Sequence, residues 1–155
     1  MVLMLRVDHR LLHGQVAYSW TSYLNADCIL IANDGILQDE LRKAAVKMAK
    51  PTSAKLVIKN MADSIQALNS GVTDKYKLMI IVETVEDAIR IADACDSVKK
   101  LNLGNIKNRE GAKQIDKLFN LLPEEETELK RLSDRGLDIF VQSVPELKPI
   151  DFRKI

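Results

Sequence analysis

Short runs of fully apolar residues, separated by amphipathic stretches, most constrain how this chain can fold. A strand that is apolar throughout must be covered on both faces, and intervening helices favour parallel pairing. We therefore expect an α/β fold: a single domain over residues 1–155, with a mostly parallel central β-sheet and helices on both faces. The predicted strands are residues 2–5, 28–32, 56–58, 77–82, 101–103 and 137–141.

In two of the predicted helices, the spacing of apolar residues predicts which side chains face the core. Apolar residues at helical spacing predict a first helix from Gly14 to Leu24. The same periodicity predicts a second helix over residues 38–48, with a proline beyond its end. The residues expected in the core are Val16, Trp20, Tyr23, Leu41, Ala45 and Met48.

Capping residues mark the other three helices. Asn60 and Thr84 are expected N-caps because each precedes an acidic residue by three positions. Pro123 and the three glutamates after it are typical of a helix start, where the dipole favours negative charge. The polar segment 107–120 has no predicted element.

Composition excludes several classes of protein. The chain has 155 residues, 29% charged and 46% hydrophobic, as expected of a folded globular domain. A net charge of +1 gives no broad basic surface for a nucleic acid. No apolar run approaches the roughly 20 residues that cross a bilayer. Cys28 and Cys95 predict neither a disulfide nor a redox motif, and with no secretory signal pattern the expected location is cytoplasmic.

Both histidines of the chain, His9 and His13, lie in the turn after the first predicted strand. Ligands of open parallel sheets bind beyond the carboxyl ends of the strands, so this turn is a candidate site. It also holds Asp8 and Arg10, and it leads into the first predicted helix. Unpaired N–H groups at a helix start and a planar guanidinium both suit phosphoryl oxygens. The turn is therefore predicted to bind a phosphate group.

The polar residues of the turn have expected roles in phosphoryl transfer. Neutral imidazole is a nucleophile near pH 7, so His13 is the predicted acceptor. Arg10 is the predicted cationic clamp, and Asp8 is expected to orient the imidazole or the guanidinium. Further phosphate contacts are predicted from the backbone amides of Gly14 and Gln15. No metal ion or diffusible cofactor is expected for this chemistry.

Roles can also be predicted for residues around the turn. Arg6, at the end of the first strand, is either a further cationic clamp or a surface charge, and the surface charge is the favoured interpretation. Asn33, Asp34 and Asn102 lie in neighbouring turns and are candidates to line the site. For Asn33 we expect ordinary turn chemistry instead.

Other interpretations of the turn stay open at this point. It is compatible with a polar surface loop in which Asp8 and Arg10 simply form an ion pair. His9 and His13 are four residues apart, a spacing that suits metal ligands on a helix, but no third ligand is evident. The chain lacks the GxGxxG and GxxxxGK[ST] patterns of nucleotide-binding loops. A receiver domain would need an acceptor Asp after the third strand, where this sequence has Lys59.

The segment RVDHRLLHGQVAYSW, from Arg6 to Trp20, resembles the signature of the IIB subunits of the mannose-type sugar phosphotransferase system. The family pattern is approximately R-[IV]-D-[DH]-R-L-[IL]-H-G-Q-V. The similarity continues more weakly along almost the whole chain. Its later landmarks are ADCILIANDG, the KP pair after the next helix, the LNLG turn and the RG pair before the last predicted strand.

The resemblance implies a phosphotransferase role and partners. Family members are cytoplasmic phosphocarriers that accept phosphate from a phosphohistidine on a IIA protein. They pass it to a sugar that enters through the membrane components IIC and IID, with which the chain would associate peripherally. The resemblance implies no nucleic-acid partner and leaves a homo-oligomer open.

The resemblance also implies roles for individual residues. His13 matches the family's phosphorylated histidine, which is modified on Nδ1. Arg10 and Asp8 match motif positions assigned to phosphate binding and loop orientation. Gly14 and Gln15 match the pair that follows the histidine.

The sequence departs from the family pattern at two positions. His9 replaces the more usual second Asp, so no role is assigned to it. Asn105 replaces the second Gly of a paired-glycine turn, where Asn would have to tolerate a positive φ.

The sequence also resembles one branch of the family in particular. The variant VDHRLLHGQV, with IANDG and SGVTDKYKL, resembles the branch that handles N-acetylgalactosamine and related amino sugars. The alternative function is a phosphorylation-sensing regulatory module of the same fold, without a transport partner.

Overall fold

All the predicted strands and helices are present in the computed structural model, which describes residues 1–155. The strands are β1 (Val2–Asp8), β2 (Cys28–Ala32), β3 (Lys55–Lys59), β4 (Leu78–Val82), β5 (Lys100–Asn105), β6 (Lys113–Asp116), β7 (Phe119–Leu121), β8 (Asp138–Val141) and β9 (Ile150–Asp151). The helices are α1 (Gly14–Leu24), α2 (Glu40–Ala49), α3 (Met61–Ser70), α4 (Val85–Ala94) and α5 (Pro123–Asp134). Short 3-10 helices cover Ile36–Gln38 and Phe152–Lys154.

The six predicted strands form one sheet in the order β3-β2-β4-β1-β5-β8, and each pairs in parallel with its neighbours. Strand β9 adds an antiparallel edge beyond β8. Strands β2 and β4 are buried along their whole length, as their continuous apolar sequences require. The prediction of a mostly parallel central sheet is confirmed.

Helices cover both faces of the sheet, as predicted. On one face, α1 and α2 pack against alternate strand residues such as Ile29 and Ile81. On the other face, α3, α4 and α5 pack against the opposite set, which includes Leu30 and Ile80. None of these helices is long and apolar enough to cross a membrane.

The arrangement of the crossovers places a crevice at the end of β1. The chain leaves β1 toward α1 on one face, whereas the two neighbouring strands, β4 and β5, lead to α4 and α5 on the other. Strands whose connections diverge in this way open a crevice at their carboxyl ends, where ligands of open α/β sheets bind. The turn that holds both histidines lies at this crevice.

Helix α2 has the opposite orientation from the one predicted. Val46 is buried, whereas Leu41 is 85% exposed and Met48 is 87% exposed. The helix begins later than expected, after Asp39, whose side chain accepts a hydrogen bond from the amide of Arg42. The side chain of Arg42 points toward the crevice and bonds to polar partners there. The face of α2 that carries Arg42 and Val46 therefore packs on the sheet.

Two further expectations about packing were wrong or incomplete. Tyr23 is 67% exposed, and its ring packs edge-on against Trp20, which is buried as predicted. The unassigned segment 107–120 contains the antiparallel hairpin of β6 and β7. Its strands are too short and too polar to show a periodic pattern, and Arg109 fixes the hairpin through an ion pair with Glu125.

Candidate active site

Asp8, the last residue of β1, is the hub of the candidate site. Its side chain is fully buried, and its Oδ2 lies 2.9 Å from Nη2 of Arg6 and 3.1 Å from Nε2 of His13. Its Oδ1 accepts a hydrogen bond from the backbone amide of Arg10 at 3.0 Å. Burial raises the pKa of Asp8, but the hydrogen bond with His13 and the charge of Arg6 outweigh it and hold that pKa below its ordinary value. Asp8 is therefore a carboxylate at neutral pH.

This carboxylate fixes the state of the His13 ring. A carboxylate can only accept hydrogen bonds, so Nε2 of His13 carries the proton that bridges the 3.1 Å to Asp8. In the neutral ring, Nδ1 then holds the lone pair, and it has no hydrogen-bond partner in the protein. The His13 side chain is 14% exposed, so part of it is accessible from solvent.

Arg6 is not the surface charge that was expected. It is 1% exposed, because β1 lies at the centre of the sheet, and its ion pair with Asp8 is buried. Its Nη1 donates to Oδ1 of Asn102 at 2.6 Å, and its guanidinium lies 5.5 Å from the ring centroid of Trp20. Burial lowers the pKa of Arg6, and the charge of Asp8 opposes that effect. Asp8 is therefore held by the strand beneath it.

Arg10 does not form the side-chain ion pair with Asp8 that the surface-loop interpretation required. Only its backbone amide contacts that carboxylate. The guanidinium of Arg10 is exposed and makes no hydrogen bond or ion pair within the chain. It is therefore a free cation at the mouth of the crevice.

The turn reaches α1 through two residues of left-handed conformation. Leu11 has a φ of 60° and Gly14 a φ of 43°. The side chains of Leu11 and Leu12 are buried and anchor the turn. His13 is the N-cap residue of α1, and its side chain makes no capping hydrogen bond. The first amides of α1, at the exposed residues Gly14 and Gln15, therefore lack a side-chain acceptor and suit an anion.

Arg42 supports the turn from α2, and sequence reasoning missed it. Its Nη2 donates to the carbonyl of His9 at 2.9 Å, and its Nη1 donates to Oε2 of Glu83 at 2.9 Å. Asn33 donates to the same carboxylate oxygen at 3.0 Å. The available signal was a cation in the first turn of a helix, where the helix dipole disfavours positive charge.

The neighbouring turn residues serve the scaffold. Asn33 accepts a hydrogen bond from the amide of Ile36, which is the turn chemistry expected of it. Asp34 accepts from the amide of Met61 at the start of α3. Asn102 lies buried beneath Arg6. None of the three reaches the His13 ring through a hydrogen bond.

The close backbone approach after β5 occurs at Gly104 and not at Asn105. A Cβ on Gly104 would lie 2.3 Å from Nη1 of Arg6. Asn105 does not have the positive φ that was considered for it, because it continues β5. Its carbonyl accepts a hydrogen bond from the amide of His9 at 3.0 Å, which ties the two turns together.

An open depression of about 790 Å³ adjoins the turn, and four of its nine lining residues are Arg or Lys. Two of its cations, Arg10 and Lys107, have no ion-pair partner. On the same wall, burial lowers the pKa of His9. The charge of Asp8 raises that pKa, whereas the charges of Lys107 and Arg10 lower it further. The lining residues are His9, Arg10, Arg42, Glu83, Thr84, Ile106, Lys107, Asn108 and Arg109. No group of three or more His, Cys, Asp or Glu side chains is arranged to hold a metal ion.

Comparisons with known proteins match the chain to one family. Residues 2–155 match the family model of the phosphotransferase system sorbose subfamily IIB component. A probable phosphotransferase enzyme IIB component of Streptococcus pyogenes serotype M6 is 35% identical over 151 residues, which cover 94% of this chain and 93% of the relative. The N-acetylgalactosamine-specific phosphotransferase enzyme IIB component 2 of Escherichia coli is 25% identical over 154 residues, with coverage of 99% and 94%.

A solved structure has the same fold. The IIB domain of the sorbose permease from Klebsiella pneumoniae superposes with a TM-score of 0.90 at 23% identity. The superposition covers 99% of this chain and 94% of that one.

Proposed function

Because the chain belongs to the family of sorbose-subfamily IIB components of the phosphotransferase system, we propose that His13 is its phosphoryl carrier. A IIB component is a phosphotransferase of a sugar uptake system. In the proposed reaction, His13 takes a phosphoryl group from a phosphorylated IIA protein. It then passes the group to a sugar at the membrane components IIC and IID, with residues 1–155 acting as one phosphocarrier domain.

One observation carries this proposal: the 3.1 Å hydrogen bond between Nε2 of His13 and the buried carboxylate of Asp8. The bond keeps the ring proton on Nε2 and leaves the lone pair on Nδ1, which has no hydrogen-bond partner in the protein. Nδ1 is therefore the atom that attacks phosphorus. The nitrogen needs no general base, because a neutral imidazole has nothing to deprotonate before it attacks.

Asp8 also compensates the charge that the reaction creates. As the bond from Nδ1 to phosphorus forms, the bond from phosphorus to the donor histidine breaks and its electron pair returns to the donor ring. The His13 ring, which keeps its proton on Nε2, becomes cationic. A carboxylate held at 3.1 Å by the Arg6 ion pair stabilises that cation without reorganising. When a sugar hydroxyl attacks phosphorus in the second step, the bond from phosphorus to Nδ1 breaks and its electron pair returns to Nδ1. The hydroxyl proton leaves to solvent, and the His13 ring is neutral again.

The phosphoryl oxygens need their own partners in an in-line transfer. The guanidinium of Arg10 is free and exposed, so it is the cation proposed to clamp them. The uncapped amides of Gly14 and Gln15 at the start of α1 are the proposed backbone donors. Both groups would bind a dianion without breaking any existing contact.

Partners, location and substrate follow from the family assignment. The carrier would dock alternately on the IIA protein and on IIC and IID, at the cytoplasmic side of the membrane and in peripheral association with it. The proposed substrate is an amino sugar such as N-acetylgalactosamine. Support comes from the VDHRLLHGQV motif and from the similarity to the N-acetylgalactosamine-specific relative.

Phosphoryl transfer from a labelled IIA protein tests the proposal. The wild-type chain should acquire phosphate that is acid-labile and stable to base. The His13→Ala variant should acquire none, and the matched His9→Ala control should be labelled normally. Arg10→Ala should slow the transfer by about 100–1,000-fold, as expected for loss of a group that stabilises developing negative charge. Normal labelling of His13→Ala would remove the central claim.

The second half of the reaction needs the membrane components. Phosphate on the chain should pass to a candidate amino sugar when vesicles containing IIC and IID are added. Label that stays on His13 with every sugar tested would instead identify a phosphorylation-sensing module.

A further inference from the structure

Helix α2 presents an unpartnered apolar stripe to solvent. The stripe consists of Leu41, Ala44, Ala45 and Met48, which are exposed and spaced at i, i+3, i+4 and i+7 on one helix face. Leu41 is 85% exposed and Met48 is 87% exposed. Single exposed apolar residues are ordinary, but a stripe at core-like spacing is typical of a surface that another molecule covers.

We propose that this α2 stripe is the face on which the phosphorylated IIA donor docks when it delivers its phosphoryl group to His13. The inference rests on the proposed function, because it names the surface through which one partner of that site is recognised. It commits to a donor surface that is apolar at its centre and carries carboxylates at its rim.

The position of the stripe supports this occupant. Arg42, the neighbour of Leu41 in the chain, donates its hydrogen bond directly to the His9 carbonyl in the candidate site. Leu41 is therefore the sequence neighbour of a residue that contacts the site turn. From Leu41 to Met48 the stripe extends about 10 Å along the helix axis. A standard interface buries about 800 Å² per partner, a patch roughly 30 Å across if circular. A donor seated over His13 can therefore also cover Met48.

The charges beside the stripe select among partners. Lys43, Lys47 and Lys50 come from α2 itself, and with Lys55 of β3 they line one open groove next to the stripe. The only acidic contact among them is the long 3.9 Å pair of Lys43 with Glu40. Cytoplasmic loops of membrane proteins carry an excess of Lys and Arg, so they suit a lysine-flanked face poorly. A soluble donor with an acidic rim is the complementary partner.

Transfer kinetics test the stripe. The donor is a phosphorylated mannose-type IIA protein that labels the wild-type chain, and the variant is Leu41→Ser with Met48→Ser. We expect the KM for the donor to rise about tenfold, as for loss of a central apolar anchor, with little change in kcat. Labelling by phosphoramidate, a small donor that needs no docking surface, should be unchanged. Lys47→Glu should raise the KM as well, most strongly at low salt.

A matched control separates docking from general surface effects. Val72 is 59% exposed and follows the end of α3, which packs on the opposite face of the sheet from α2, so Val72→Ser should leave the KM unchanged. A KM for the stripe variant within twofold of the wild-type value would overturn the inference. An equal rise in KM for Val72→Ser would overturn it too.

Direct binding distinguishes failure of this inference from failure of the proposed function. Methyl NMR signals of Leu41 and Met48 should shift on titration with the unphosphorylated IIA protein, whether or not phosphate can pass to His13. Absent labelling of His13 with these shifts present would contradict the proposed function alone. Two other results would overturn the assignment of the donor. One is broadening of the same methyl signals through dimerisation of the chain. The other is broadening when phosphatidylglycerol vesicles are added in place of the IIA protein.

Discussion

Replacing Asp8 with asparagine should cost more stability than most single substitutions, because the carboxylate neutralises a buried guanidinium. Arg6 is 1% exposed, Asp8 is 0% exposed, and the ion pair between them spans 2.9 Å. Removing one partner of a buried ion pair costs about 3–5 kcal/mol, since the remaining charge is left without compensation. Asparagine keeps one acceptor oxygen for Arg6 or His13, so we expect the lower end of this range, about 3 kcal/mol.

Urea denaturation measures this loss with a built-in probe. The chain has one tryptophan, Trp20, which is buried with the guanidinium of Arg6 5.5 Å from its ring centroid. With a urea dependence of about 2 kcal/mol/M, a loss of 3 kcal/mol lowers the unfolding midpoint by about 1.5 M. The double variant Arg6→Met with Asp8→Asn removes the stranded charge. Its loss should be at least about 1 kcal/mol smaller than the sum of the two single losses.

The difference in unfolding free energy between the wild type and Asp8→Asn should depend on pH in a known direction. The pKa of Asp8 is lower in the folded chain than in the unfolded chain, where it is about 3.9. Its stabilising contribution is therefore complete well above pH 4 and is lost as the pH falls through the folded-state value. The gap between wild type and Asp8→Asn should shrink steadily below about pH 5. A gap under about 1 kcal/mol at pH 7, or one that stays constant down to pH 3, would show that the Asp8 carboxylate does not stabilise the fold by neutralising Arg6.

Four further substitutions test the packing around the site and of α2. Gly104→Ala should cost about 1–3 kcal/mol, because the new Cβ would lie 2.3 Å from Nη1 of the buried Arg6; an unchanged Tm would contradict this. Arg42→Gln removes the donor that holds the site turn, so it should slow transfer to the chain several-fold and cost about 1–2 kcal/mol. An equal transfer rate would argue against that support. Val46→Ala should lower the free energy of unfolding by about 2 kcal/mol and Leu41→Ala by less than about 0.5 kcal/mol; the reverse order would restore the predicted orientation of α2.

Most of the fold could be predicted because its signals are local. Fully apolar runs such as β2 and β4 must be buried on both faces, and they are. Asn60 and Thr84 cap their helices as expected, accepting hydrogen bonds from the amides of Asp63 and Asp87. The identity of the site turn was also visible, because its reactive side chains are close in sequence.

The support of the site could not be predicted, because it depends on contacts between distant segments. A charged residue at a strand end is usually exposed, and only the central position of β1 buries Arg6 against Asn102. The periodicity of α2 is compatible with two orientations. Only in the observed orientation does the side chain of Arg42 face inward, where it donates hydrogen bonds to Glu83 and to the carbonyl of His9.

The position of the phosphoryl group on the ring tests the role of His13 most directly. The chain has two histidines, so a histidine-¹⁵N-labelled sample phosphorylated by a IIA protein gives a simple long-range ¹H–¹⁵N NMR spectrum. We expect Nδ1 of His13 to carry the phosphoryl group, Nε2 to keep its proton beside Asp8, and His9 to be unmodified. A phosphoryl group on Nε2 of His13, or on His9, would show that the Asp8–His13 hydrogen bond does not select the reacting nitrogen.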